Sequence, residues 1–170
     1  MEAVKVVLDT NVVITAAINP FGSSGKVMDL FVGKEVASYT SEAILEELRF
    51  KLTSEKFLKH IESRVYALWI YRIFRASSTL VEPAEHFEVS PDPDDNKFFD
   101  VVYSAGADVL ISLDKRHVLK LRDGERKFSL KGHEFLILTP VEFLEVFKDE
   151  VSGKLASSPP PKGETFGRKK

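Results

Sequence analysis

The sequence has no cysteine and no glutamine, and of its 170 residues only three are asparagine and one is tryptophan. Without cysteine there is no disulfide, no thiolate zinc site and no cysteine nucleophile. No apolar run approaches the roughly 18 residues that a membrane-crossing helix needs, so no membrane partner is expected. The N-terminus shows no basic region followed by a longer apolar stretch. A signal peptide is therefore not expected, and the expected compartment is the cytoplasm. His60, His86, His117 and His133 fall at no spacing such as H-E-x-x-H, which argues against zinc. There is no G-x-S-x-G elbow of a serine hydrolase either. Few amides beside many Lys and Glu resemble the composition of thermophile proteins.

Apolar residues at 44% and charged residues at 29% are ordinary for a soluble globular chain. The length suits one domain, expected over residues 1–152, with a basic, Pro-containing tail over 153–170. The tail holds Ser157-Ser158-Pro159-Pro160-Pro161 and ends in Arg168-Lys169-Lys170, a composition expected to stay disordered. From Lys154 onward five basic residues face one acidic, which is +4; the net charge of −2 leaves −6 on the body. A nucleic-acid binder with an acidic body needs local basic patches or metal ions to manage phosphate.

Val4-Lys5-Val6-Val7-Leu8 reads as a central parallel strand buried on both faces. A helix is expected over 12–18, then a second from Ser23-Ser24, as caps, to about Gly33. Gly25-Lys26 lacks the other residues of a phosphate loop and is rejected as one. Residues 35–39 read as a strand, and Thr40-Ser41 as the cap of a helix with Ile44, Leu45, Leu48 and Leu52 on one face. Helices over 54–59 and 62–77 follow, the second with Val65, Leu68, Trp69, Ile73 and Phe74 as its buried stripe. Arg64, Arg72 and Arg75 lie near one face of that helix, where they could steer phosphate or simply be solvated. Residues 79–81 read as a strand, and Asp94-Asp95 open a helix to about Ala105. Val109-Leu110-Ile111 is a strand ending near Asp114, Phe135-Leu136-Ile137-Leu138 is the last clear strand, and Pro140 starts a final helix. Alternating strands and helices predict a three-layer α/β/α fold around a central, mainly parallel sheet.

Four acidic positions recur at comparable points of these units: Asp9, Glu47, Asp95 and Asp114. In a parallel sheet the strand ends share one edge, where ligand sites form. Carboxylates crowded there raise one another's pKa values unless a cation intervenes, and oxygen-only ligands suit Mg²⁺ or Mn²⁺. Each position also has a plainer reading. Asp9, Asp94, Asp95 and Asp114 can each cap a helix, and Glu47 can be one solvated charge beside Glu46. Glu47 lies nearer the apolar face than Glu46. Asp94 rivals Asp95 because the two are adjacent.

Leu8-Asp9-Thr10-Asn11-Val12 resembles the opening motif of PIN-domain nucleases. Ser41-Glu42-Ala43-Ile44-Leu45-Glu46-Glu47-Leu48 is similar to the second motif of that family. Asp92-Pro93-Asp94-Asp95-Asn96-Lys97-Phe98 resembles the third, and the stretch from Ala105 to Asp114 the fourth. The likeness covers residues 4–147 and is nearest to the VapC-like toxins of toxin–antitoxin pairs. One departure is Ser112-Leu113 before Asp114, where that branch usually has Thr and then Gly or Arg. The resemblance implies metal-dependent hydrolysis of RNA phosphodiester bonds. Asp9, Glu47, Asp95 and Asp114 would hold Mg²⁺ or Mn²⁺ directly or through water and carry catalysis. Thr10, Asn11, Ser41 and Asp94 would support them or touch phosphate. An antitoxin protein and a second copy of the chain are the partners it implies. A housekeeping RNA-processing nuclease and a catalytically weak RNA-binding module are the alternatives.

Overall fold

Lys5–Leu8 forms β1, and its last three residues are fully buried because helices cover both of its faces. The computed structural model describes residues 3–61 and 63–147. The boundary expected near Ser152 and the tail behind it lie outside those residues. After β1 come α1 (Thr10–Ile18), α2 (Ser23–Val32), β2 (Ala37–Thr40), α3 (Glu42–Leu52), α4 (Glu55–Ile61), α5 (Arg64–Ala76) and β3 (Ser78–Leu80). A 3₁₀ turn (Pro93–Asp95) then leads into α6 (Asn96–Ala105), β4 (Val109–Ile111) and a second 3₁₀ turn (Leu119–Leu121). β5 (Lys127–Leu130), β6 (His133–Leu138) and α7, helical over 140–147, complete the described chain.

Among the described residues the sheet has the order β3-β2-β1-β4-β6-β5, parallel throughout except between β5 and β6. β1 is flanked on both sides, with Val7 opposite Tyr39 of β2 and Leu110 of β4. Side chains alternate across a strand, so Val6 and Leu8 face one layer and Val7 the other. Val6, Leu8, Val109 and Ile111 pack with α1, α2, α5 and Phe143 of α7. Val7, Leu110 and Ile137 pack with Phe98, Phe99 and Val102 of α6. This is the expected three-layer α/β/α arrangement. Truncating a ring such as Phe99, which is fully buried, would cost about 3–5 kcal/mol. No helix among the described residues is long and apolar enough to cross a membrane.

The structure corrects several readings. β5 has no counterpart in the expected strands: it is a short edge strand, and only Leu130 of its four residues is buried. Ser23 and Ser24 lie inside α2 rather than capping it, and Gly22 holds the cap position. Gly25 is there for packing, since a Cβ on it would stand 2.0 Å from the Pro20 carbonyl oxygen. On α5 the expected stripe holds only at its C-terminal end, where Phe74 is buried and Ile73 half-buried. Val65, Leu68 and Trp69 are exposed, while Ala67 and Phe74 are buried. Tyr66 and Ile70 pack beside that buried pair. The Tyr66 hydroxyl donates to the Ala17 carbonyl (2.9 Å), which anchors this face of α5 on α1.

Candidate metal centre

The end of β1 brings the first acid to the sheet edge. Its backbone holds it there: Asp9 N–H donates to the Ile111 carbonyl of β4 (3.0 Å). Asp9 also caps α1, with Oδ1 accepting the Asn11 N–H (3.1 Å). The other oxygen, Oδ2, accepts the Ser112 hydroxyl (2.8 Å). The Ser112 oxygen in turn accepts the Asp114 N–H (3.0 Å). One fully buried hydroxyl thus ties the ends of β1 and β4 together. Ser112 departs from the Thr usual in the family motif, yet supplies the hydroxyl all the same.

A second serine repeats this arrangement before α6. Ser90 Oγ donates to Asp95 Oδ2 (3.1 Å) and accepts the Asp92 N–H (3.2 Å). Asn96 Oδ1 clasps the approaching loop by accepting the N–H groups of Val89 (3.0 Å) and Ser90 (2.9 Å). Of the adjacent pair, Asp95 is buried and Asp94 is exposed, with the Asp94 N–H donating to Asp92 Oδ1 (3.0 Å). Asp114 caps its own turn: Oδ1 accepts the N–H groups of Arg116 and His117 (both 3.0 Å). Its Oδ2 lies 3.2 Å from His117 Nδ1.

Glu47 stands on α3 in different company. Its carboxylate accepts Lys97 Nζ (2.6 Å) and the Thr10 hydroxyl, and pairs with Lys51 Nζ (3.3 Å). Lys51 also donates to Thr10 Oγ1 (2.8 Å) and Asn11 Oδ1 (3.0 Å). Thr10 and Asn11 therefore reach the site through Lys51 and Glu47. Glu46 is exposed. Ser41 Oγ caps α3 by accepting the Ile44 N–H (3.3 Å), and no bond joins it to the acids among the described residues.

The electrostatics divide these carboxylates. Burial pushes Asp9 up, against the Asn11 N–H, the Ser112 hydroxyl and Lys51, while the Glu47 charge adds to the rise. Burial also raises Asp95 to about 6; the Ser90 bond opposes this, and the charges of Asp9, Asp114 and Asp92 add to it. Burial acts upward on Glu47 too, but bonds from Lys97 and Thr10 and the Lys51 charge outweigh it and hold the group low. Asp114 is also held low, because bonds from the His117 N–H, the His117 ring and the Arg116 N–H outweigh its desolvation.

The sequence reading placed four acids together. The structure puts three of them at one edge and Glu47 beside them, where its charge still acts on Asp9. Asp9, Asp95 and Asp114 interact as charges at one edge with Asp92, whereas two lysines neutralise Glu47 on the flank. Ligand atoms of Asp92, Asp95 and His117 lie within 4.8 Å of one another. Asp92 and His117 were not among the expected ligands, although two i, i+3 spacings, Asp92 to Asp95 and Asp114 to His117, carry the signal. An ionised Asp114 can only accept, so His117 Nδ1 donates to it. Carboxylate oxygens with one imidazole, and a buried acid whose neighbours push it toward protonation, fit a divalent cation.

The comparisons with known proteins agree with this geometry. A family model described as PIN domain matches residues 5–116, which run from β1 through the turn that carries Asp114. The chain is also 38% identical over 149 residues to the uncharacterized protein MJ1680 of Methanocaldococcus jannaschii, covering 88% of this chain and 95% of that protein. With a mainly parallel sheet, acids gathered at its strand ends and a family model matching more than half of the chain, one assignment is left: the chain belongs to the PIN-domain family, whose fold is of the nuclease type.

Proposed function

We propose that this protein is a ribonuclease that hydrolyses RNA phosphodiester bonds with Mg²⁺ or Mn²⁺. The observation that carries this reading is Asp95. It is a buried carboxyl with one serine bond, surrounded by the charges of Asp9, Asp114 and Asp92, and raised to about 6. Such repulsion is uncompensated unless a cation is bound. Asp9, Asp95 and Asp114 would hold the metal, with Asp92 and His117 within reach and Glu47 contributing from the α3 side. A bound cation supplies charge neutralisation at the phosphate and a more acidic water.

The remaining chemistry belongs to the chain itself. Ser112 and Ser90 orient the carboxylates of Asp9 and Asp95 and restrain the turns that bring Asp114 and Asp92 in. Asp114 orients the His117 ring through Nδ1. Lys51 and Lys97 keep Glu47 ionised and set two ammonium groups beside the acids, where an RNA backbone would pass. Asp94, exposed beside the site, remains a candidate for contact with the substrate or a hydrated cation. The role of toxin in a toxin–antitoxin pair rests on the motif resemblance; an adjacent gene for a small DNA-binding protein would support it.

The test is cleavage of single-stranded RNA by the full-length protein with Mg²⁺, with Mn²⁺ and in EDTA. Cleavage that needs the metal and is lost in Asp95→Asn is the expected result. Tight RNA binding without cleavage under any metal would favour the binding-module alternative. Failure to bind or cut RNA, with a melting temperature indifferent to Mn²⁺, would overturn the proposal.

A further inference from the structure

Beside the acids, on the far side of Lys51, is a cleft of about 360 Å³ between α1, α3 and α4. Its volume is at the lower end of ordinary small-ligand sites. Ile14 and Ile18 of α1 and the buried Phe57 of α4 give it an apolar lining, and Phe50 stands at its edge, 76% exposed. A phenyl ring left so open on a helix has an unused aromatic face. The polar lining is all neutral or basic: Asn11, Lys51, Ser54, Lys56 and His60. Of the four clefts described, it alone has basic side chains and no carboxylate. Lys56 and His60 pair with no carboxylate among the described residues, so their donors are open to an anion.

The cleft is continuous with the acidic site. Asn11 and Lys51 line it, and the same residues bond toward Asp9 and Glu47. The Asn11 amide is oriented by Lys51, which can only donate and so must face Oδ1. Its Nδ2 has no partner among the described residues and is available to a base carbonyl or ring nitrogen.

The geometry points to a nucleotide subsite: one unpaired base of a single-stranded substrate sits in this cleft against Phe50, and Lys56, with His60 beside it, takes a flanking phosphate. This inference rests on the ribonuclease reading and specifies its substrate as unpaired RNA. An aromatic face beside lysines is the arrangement that holds single strands with little sequence demand, because every base has a face to stack. A duplex keeps its bases stacked inside and cannot offer one. A protein segment would also suit an apolar cleft, but basic side chains with no carboxylate, next to the proposed phosphodiester site, favour the nucleotide.

The test compares wild type with Phe50→Ala and Phe50→Trp, all full length, with Ca²⁺ as the oxygen-binding cation. Binding is measured to a short single-stranded RNA, to the same strand with one base removed at successive positions, and to duplex RNA. Phe50 is exposed, so melting temperatures should match and losses can be assigned to binding. Phe50→Ala should weaken single-strand binding about 10-fold. Phe50→Trp should preserve it, and duplex binding should be unmoved. Removing one particular base should weaken wild type by a similar factor and Phe50→Ala hardly further, as shared partners do. Equal single-strand binding by wild type and Phe50→Ala would overturn the subsite, return the cleft to a protein-docking role and leave the ribonuclease reading standing. Wild type that binds no RNA would overturn both.

Discussion

Two carboxylates largely shielded from solvent, Glu142 and Asp95, have opposite fates. Glu142 accepts both Nη atoms of Arg122 (2.6 and 3.2 Å) and the Thr139 N–H (2.9 Å), with Arg126 at 3.3 Å. The Arg122 bonds lead in lowering it to about 2. Asp95 has one serine hydroxyl and three acidic neighbours, and burial with those charges raises it to about 6. Glu142 belongs to the fold: Thr139 Oγ1 accepts the Glu142 N–H (3.2 Å), so the two residues cap α7 reciprocally. Asp95 belongs to the candidate metal centre. A carboxylate satisfied by its neighbours stabilises the chain, whereas one opposed by them is positioned for something the chain does not itself supply.

The sharpest way to break this comparison is Asp95→Asn. RNA cleavage should fall by about 100-fold or more, since even supporting residues of metal sites cost about 10–100-fold. Stability without metal should rise, because the repelled charge is gone; a variant that melts lower than wild type in EDTA would contradict the electrostatic account. Glu47→Gln should come next. It leaves Lys51 and Lys97 without their counter-charge and should reduce cleavage substantially, while Glu46→Gln, on an exposed side chain, should not. Equal losses in the two variants would mean that the α3 register does not govern function.

The pH profile of stability separates the two carboxylates. Glu142 has a folded value of about 2 against an ordinary 4.5, so its contribution is present above about 4.5 and lost as pH falls toward 2. Glu142→Gln should flatten that acid limb and cost roughly 1–2 kcal/mol near neutrality. Asp95 acts in the reverse sense. Its folded value is raised from 3.8 to about 6, so without metal stability should decline as pH rises across that interval. Thermal melts in EDTA across this range, repeated with Mn²⁺, should show the decline and then its removal. The smallest effect belongs to Ser112. Ser112→Ala should cost about 1–2 kcal/mol, because it leaves the buried Asp9 oxygen and the half-buried Asp114 N–H unbridged, and Ser112→Thr should recover most of it. A neutral Ser112→Ala would mean that the hydroxyl does not tie the two strand ends.

Legibility followed burial. β1, β4 and β6 are apolar runs because layers cover both faces, and all three could be read from the chain. β5 could not. It has a single buried residue, and its two-residue turn to β6 is Lys131-Gly132, with φ of 48° and 84°, where Asn-Gly would have signalled a hairpin. The face of α5 was misread because apolar side chains occur around most of that helix, and its sequence does not say which ones meet α1. Asp95 and Asp94 are equivalent in the sequence. The 3₁₀ turn at Pro93–Asp95 is what buries one and exposes the other.

The sequence alone determined the alternation of strands and helices, the parallel core, and the four acids at comparable points of their units. These follow from periodicity and from residues a few positions apart, which a chain displays whatever its final shape. Only the tertiary structure decided how those acids are used. Ser112 and Asp9 are 103 positions apart and Lys97 and Glu47 are 50 apart, and the sheet order is what brings each pair together. Two lysines therefore neutralise Glu47, Asp92 and His117 join Asp95, and Phe50 comes to stand beside the site. Charge acts through distance in space, and spacing along the chain does not reveal which charges will meet.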